Sequence, residues 1–544
     1  MCSVGVCECR VLFCSGHRVP RYSSILWGVC IPSSCSSYDL EDELSSHLSR
    51  FGVEVKVHNT MCTVKNIQAA FSFGKSLAIA FFLALTLALT AGTLFDDGAE
   101  GSSASKKILN AFSLRRNWKK LVDTPETSAR VKGVDAIRGV NAFALLIVHK
   151  SMAMAHNPYV NKVHLSEVFG MPWAVLGRSA VVYTDSFLYL SGFLNAKNLL
   201  QEVERSGTVD VKRRLLARWF RLFPLFLSIM LFCTYILPEV NSGPQWNLVV
   251  GEHSRVCQKN MWKSFLFIHN YFGFENMLGM DMQLYVASIP LILLLRRYAK
   301  IGWLAVAALA VGSAALRYLS VYWHAISLFV YYGIPAQKLL DAARYCYILP
   351  THRATIYLMG VAMAYFFNSK KSKFSLSTNE RHVYSRFLTF TGSMDVLRAS
   401  CAFLCLFTLV SPWWMGLPDY RYEHFYSAIF ATFSPVAWGV FLAMIHWVIC
   451  NGYAGKLDSF LESWPFRFFN KIAYGVYLTQ FPLFFYNVGV RRNPGFYSPF
   501  SLLSIPELAV VLGISTLTTV AIEMPFVEVH RVLFDKSQSK LKEK

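Results

Sequence analysis

The chain has 544 residues, of which 54% are hydrophobic and 16% charged, and carries a net charge of +20. That balance excludes a string of soluble domains, a disordered chain and a collagen-like one. The apolar stretches between the charges repeatedly reach spanning length, so the basicity belongs to loops at a membrane surface and not to a nucleic-acid interface.

Seven of the thirteen cysteines (Cys2, Cys7, Cys9, Cys14, Cys30, Cys35 and Cys62) crowd into the first 62 residues. This density suits an oxidising compartment, and the close pairs Cys7/Cys9 and Cys30/Cys35 lack the paired spacing of a zinc ribbon. Residues 1–70 are therefore expected to form a small disulfide-rich extracellular or lumenal domain, with Cys30 and Cys35 structural. The odd count, and the absence of a charged start followed by an apolar run, predict a natural N-terminus further upstream.

Residues 76–94 form an uncharged apolar run about 19 residues long, matching the roughly 20 needed to cross a hydrocarbon core. Ten further spans are predicted at 138–156, 180–198, 215–237, 281–296, 301–319, 353–368, 397–411, 426–450, 472–489 and 502–527. The expected fold is an all-α, polytopic transmembrane helix bundle of about eleven spans. Residues 95–132 read as a basic linker, 133–527 as the ten-span core and 528–544 as a basic tail. Alternate loops hold 29 and 9 Lys or Arg residues. The richer set, retained in the cytoplasm, puts the N-terminus outside and the C-terminus inside. Cys257 and Cys346 then fall in two outer loops and are predicted to pair.

Ionisable groups inside spans need a partner or a task. Arg138 and His149 are eleven residues apart, three helical turns plus about 20°, so they share a face and are separated by about 16 Å along the axis. A cation at the membrane surface thus stands below a titratable base at mid-depth. In Arg214-Leu215-Leu216-Ala217-Arg218-Trp219-Phe220-Arg221, spacings of 3 and 4 put the three arginines on one side, where they offer a cradle for phosphate; the bland alternative is a cytoplasmic anchor. Pro224 is expected to kink that helix and open a cavity. Asp185 either orients a histidine or pairs with an arginine, Asp281 reads as a structural carboxylate, Arg353 opens its span, and Glu523 reads as an interface residue.

Taken in order, these segments resemble the membrane acyltransferase type 3 family, and within it the animal branch called nose resistant to fluoxetine. Arg138 followed by His149 is similar to the family's basic-residue-to-histidine motif, and Arg218-Trp219-Phe220-Arg221 to its paired-arginine motif. Asp185 to Leu194, with Ser191-Gly192-Phe193-Leu194, Asp281-Met282-Gln283-Leu284-Tyr285, Arg353 to Gly360 and Ala473 to Leu478 look like four more. Gly28 to Cys35 resembles the branch's N-terminal domain. Where many relatives have histidine after the Tyr-Leu signature, this chain has Gln480, which can hydrogen-bond but cannot transfer a proton.

The resemblance implies a multi-pass membrane protein of the plasma membrane or endoplasmic reticulum. It would move an acyl group from cytoplasmic acyl-CoA, a co-substrate and not a bound cofactor, to a hydroxyl of a lipid or glycan acceptor. Arg138, Arg218, Arg221 and Arg353 would hold CoA phosphates, His149 would act as base and Asp185 would orient it; no metal is implied. The alternative is a non-catalytic transporter or uptake facilitator for lipids and hydrophobic xenobiotics, activities associated with the animal branch.

Overall fold

A computed structural model of the chain describes residues 6–15, 24–32, 34–57, 62–64, 72–98, 103–123, 133–272, 277–331, 334, 336–371, 394–417, 419–450, 460 and 463–534. Cys2, the side chains of Cys7, Cys9 and Cys14, and most of the expected loop 369–388 and tail 528–544 lie outside the described residues.

The N-terminal region is not helical throughout. Strand β1 (Val6–Ser15) runs at the centre of an antiparallel sheet, between β2 (Ser24–Pro32) and β3 (Val53–Lys56), and also pairs with β4 (Cys62–Val64). The helix Ser37–Leu48 starts in a capping box: Ser36 Oγ accepts from the Asp39 amide while the Asp39 carboxylate accepts from the Ser36 amide. Leu40, Val55 and Val57 form the small core between helix and sheet. Cys62 is disulfide-bonded. Cys30 and Cys35 are exposed free thiols, which corrects the expectation that they are oxidised structural cysteines. Asn247 Nδ2 donates to the Cys62 carbonyl at 3.1 Å, which ties this head to the helical region.

From residue 73 onward the described chain is helical. Among the described residues, seven helical stretches are long and apolar enough to cross a membrane: Phe73–Leu94, Val211–Val240, Leu278–Arg297, Ala299–His324, Val396–Gly416, His424–Cys450 and Pro499–Phe534. The other four stretches expected to span are also helical, as Val134–Met154, Ala180–Ser206, Pro350–Lys371 and Trp464–Gly489. They fall short of that length-and-composition standard because they carry the polar side chains of the interior, among them Arg138, His149, Asp185, Arg353 and Gln480.

Those polar helices pack most closely with one another, Ala180–Ser206 against Pro350–Lys371 and Val134–Met154 against Trp464–Gly489. The first contact depends on two glycines: a Cβ on Gly192 would lie 2.2 Å from the Tyr357 carbonyl oxygen, and one on Gly360 2.1 Å from that of Tyr189. Small residues let helix backbones approach this closely. Pro224 lies buried inside its helix, which passes into a π-helical turn at Phe232–Ile236.

The expected Cys257 to Cys346 bridge is absent. Both thiols are free and buried, Cys257 in a core with Phe223 and Phe226 and Cys346 in another with Val321 and Ile326. Each sulfur is held by apolar packing in its own cluster, so no covalent link joins the two loops.

Candidate functional site

A cavity of about 520 Å³ opens between the helices Val134–Met154, Ala180–Ser206, Val211–Leu231, Met277–Arg297 and Trp464–Gly489. Arg138, Arg214, Arg218, Arg221 and Lys471 line it, against the carboxylates of Asp281 and Glu523. Cations therefore outnumber anions on its wall. Apolar side chains, Leu145, Phe187, Leu188 and Val476 among them, carry the cavity up to Gln480 and Thr184.

The helical period explains why these residues meet. Arg138, Ala142 and Leu145, on one face of their helix, all line the cavity, and His149 continues that face. Asn470, Ala473, Tyr474, Tyr477 and Gln480 form the matching face of the opposite helix.

The four arginines are not equivalent. Arg214 pairs with Glu202. Arg218 pairs with Asp281, donates to Ser191 Oγ at 3.1 Å and stacks over the Tyr285 ring at 4.1 Å. Arg221 meets Glu523 at 3.7 Å with its side chain 56% exposed. Arg138 donates to the Asn470 carboxamide oxygen at 3.2 Å, and Asn470 in turn donates to Asp135. Arg138 also lies within electrostatic reach of Arg221, Asp281 and Glu523. Arg138 and Arg221 are thus the arginines least committed to a carboxylate, and Arg221 is the more open to water. Asp281 acts as the partner of Arg218 on the cavity wall.

His149 stands just behind this wall. It is 8% exposed, packs against Phe481 with ring centroids 4.5 Å apart, and has Gln480 as its polar neighbour. Gln480 lines the cavity, whereas His149 is not among the lining residues. Asp185 is engaged elsewhere: it pairs with Arg353 at 2.8 Å, and both side chains are at most 1% exposed. Arg353 also donates to Thr184 Oγ1 at 2.8 Å and stacks over the Tyr347 ring at 4.8 Å. The expected pairing of Asp185 with the imidazole is therefore replaced by a buried ion pair. For the same reason Arg353 is not at the mouth with the other arginines.

Glu523, expected as an interface residue, lines the cavity beside Arg221. It ends the π-helical turn Thr519–Glu523, is 7% exposed, and has a buried carboxylate oxygen without a hydrogen-bond partner. Sequence reasoning overlooked Asn470 and Lys471, and placed Tyr474 in a motif without giving it a role. Counting back from Gln480 in steps of 3 and 4 reaches Tyr477, Tyr474 and Asn470, so the signal was the ordinary helical period. Lys471 was hidden because its Nζ is held by chain-distant carbonyls of Lys120, Leu121 and Asp123 at 2.8, 2.9 and 3.3 Å.

The family profile described as an acyltransferase domain matches residues 131–524, the stretch that builds this cavity. The chain belongs to the acyltransferase 3 family. Membership makes it a membrane-bound protein with an acyltransferase domain, and such a domain implies an acyl donor and an acceptor. "Nose resistant to fluoxetine protein 6" of Caenorhabditis elegans is 20% identical across 96% of this chain and 68% of the relative. "Regulator of hypoxia-inducible factor 1" of the same organism is 24% identical across 40% of this chain and 44% of the relative. No solved structure matches.

Proposed function

We propose that the protein transfers an acyl group from a CoA thioester to a hydroxyl of a lipid or glycan acceptor, inside the cavity between Arg138 and Gln480. The observation that carries this reading is the convergence of Arg138, Arg221 and Lys471 on a chamber whose apolar part runs to Gln480, with His149 beside that carboxamide. On the orientation set by the basic loops, all eleven long helices cross the membrane and the Arg138 end faces the cytoplasm, where acyl-CoA is found.

In this reading Arg138 and Arg221 hold the donor's phosphates through charge-assisted hydrogen bonds, and Lys471 adds charge. The slender pantetheine arm then covers the roughly 16 Å between the Arg138 and His149 levels. The carboxamide of Gln480 swings off the imidazole as the acceptor enters. His149 takes the hydroxyl proton as the acceptor oxygen bonds to the thioester carbonyl carbon. The carbon–sulfur bond breaks, and the departing thiolate regains the proton from His149 as the free thiol. Asp185 and Arg353 act by holding the chamber's upper wall in place through Thr184.

The rival reading is a facilitator that passes lipids or hydrophobic compounds through the same bundle. It is favoured by one feature, Gln480 standing between His149 and the cavity. Purified protein in lipid nanodiscs, supplied with radiolabelled acetyl-CoA and a membrane extract, separates the two. Label transferred by the wild-type protein and lost in His149→Ala is the expected result. Equal behaviour of both proteins, with no labelled product, would overturn the enzymatic reading.

A further inference from the structure

The helix Leu114–Val122 lies between the end of the helix Phe73–Leu94 and the start of Val134–Met154, at the same end of the bundle as Arg138. Its inward face is tightly held. Leu121 is fully buried, and Asn117 Nδ2 donates to the carbonyls of Ala111 at 2.8 Å and Val520 at 3.3 Å. Two of its cations are each matched by a carboxylate, the part-buried Arg116 by Asp96 at 2.6 Å and the exposed Lys120 by Glu528 at 3.2 Å.

The other face is built differently. Arg115, Trp118 and Lys119, at helical spacings of 3 and 4, are exposed, Trp118 by 53%. Arg115 and Lys119 meet no carboxylate among the described residues. Trp464, 45% exposed, stands at the helix's C-terminal end and donates to the Val122 carbonyl at 3.3 Å. The helix starts beside the end of the apolar helix Phe73–Leu94, where the Leu114 amide donates to Thr93 Oγ1 at 3.0 Å, and an indole between two unmatched cations at such a position fits the boundary between acyl chains and headgroups.

We propose that the Arg115, Trp118 and Lys119 face is a binding site for the headgroup of an anionic phospholipid in the adjoining leaflet. The indole rests at the headgroup level and the two cations grip the phosphate and its acidic substituent. Because Lys471 is anchored on the C-terminal carbonyls of this helix, the lipid site and the mouth of the cavity share one rigid element.

The test uses the full chain in nanodiscs of equal parts phosphatidylcholine and phosphatidylserine, followed by mild-detergent extraction and native mass spectrometry of retained lipid. Wild-type protein should retain phosphatidylserine in preference to phosphatidylcholine. Arg115→Gln and Lys119→Gln should each lower that retention about fivefold, the effect of roughly one charge near an anionic surface. Arg421→Gln, an exposed cation elsewhere, should leave it unchanged. Added phosphatidylserine should raise the melting temperature of the wild type but not of the double variant, which separates loss of the site from loss of the fold. The proposal is overturned if retention shows no headgroup preference or if all three variants lose lipid alike. It is also overturned if millimolar inorganic phosphate strips the lipid, because the site would then serve a soluble anion.

Discussion

Two ion pairs in this protein use the same chemical groups for opposite ends. Asp185 and Arg353 are sealed between helices with almost no exposure, and the guanidinium is further engaged by Thr184 and the Tyr347 ring. Arg221 and Glu523 sit on the wall of the cavity at 3.7 Å, with the arginine more than half exposed. The first pair has no freedom to release either charge, so its role is architectural. The second is loose enough for an incoming anion to take the arginine. What separates an anchoring arginine from one available to a ligand is how fully its partners satisfy it, and spacing alone does not reveal that.

The sharpest way to break this contrast is to remove one member of the sealed pair. Asp185→Asn or Arg353→Gln leaves a buried charge uncompensated, a loss of about 3–5 kcal/mol. Purified in detergent, either variant should melt well below the wild type or fail to elute as a folded monodisperse species. The double variant Asp185→Leu/Arg353→Met removes both charges and should recover most of the stability. Equal damage in single and double variants would show that the site needs the charges themselves and would end the architectural assignment.

A smaller effect on a different quantity is expected at the open pair. Arg221→Gln should leave the melting temperature within a few degrees of wild type. It should raise the KM for acyl-CoA about tenfold or more, the scale of one charge-assisted hydrogen bond at about 1.5–3 kcal/mol. If the variant melts early and its KM holds, Arg221 belongs with Arg353 and the distinction fails.

The parts of this arrangement that were legible in the sequence were those set by local periodicity. Eleven of the long helices fall where hydropathy placed them, and the face shared by Arg138 and His149 follows from 3.6 residues per turn. Four of those helices were the harder ones to recognise as spans because interior polar groups lower their hydropathy; they carry Arg138 and Gln480 on the cavity wall and the separate Asp185–Arg353 pair. Choices between partners were not legible. Asp185 joins Arg353 across 168 residues of chain, and nothing local distinguishes that carboxylate from one that orients a histidine. The position of Glu523 on the cavity wall, at the end of a π-helical turn that adds a residue to the local repeat, was not legible either. Cys257 and Cys346 looked pairable because both fall in outer loops, a criterion blind to the separate cores that enclose them.

The mildest perturbation concerns a third pair, just past the end of the helix Phe73–Leu94, where the Arg116 guanidinium grips both oxygens of Asp96 at 2.6 and 3.3 Å. The hydrogen bond from Arg116 is the largest influence on that carboxyl and holds it at about 2, below the usual carboxylate value of 3.8. A depressed carboxyl contributes stability that is fully present above its unfolded pKa and is lost as pH falls through the folded one. The contact should therefore be unaffected from pH 8 down to about 4 and should fade between 4 and 2. A spin label on Lys107, in the neighbouring helix Ala104–Ala111, should keep its mobility through the first interval and gain it in the second. Asp96→Asn at pH 7 should match the low-pH state, with a stability change of about 1 kcal/mol or less, as for other pairs in contact with water. Mobility that rises already between pH 7 and 5 would mean that a histidine such as His530, and not Asp96, controls this end of the bundle. The orientation of Arg115, Trp118 and Lys119 toward the bilayer would then depend on a different contact from the one that holds Arg116 inward.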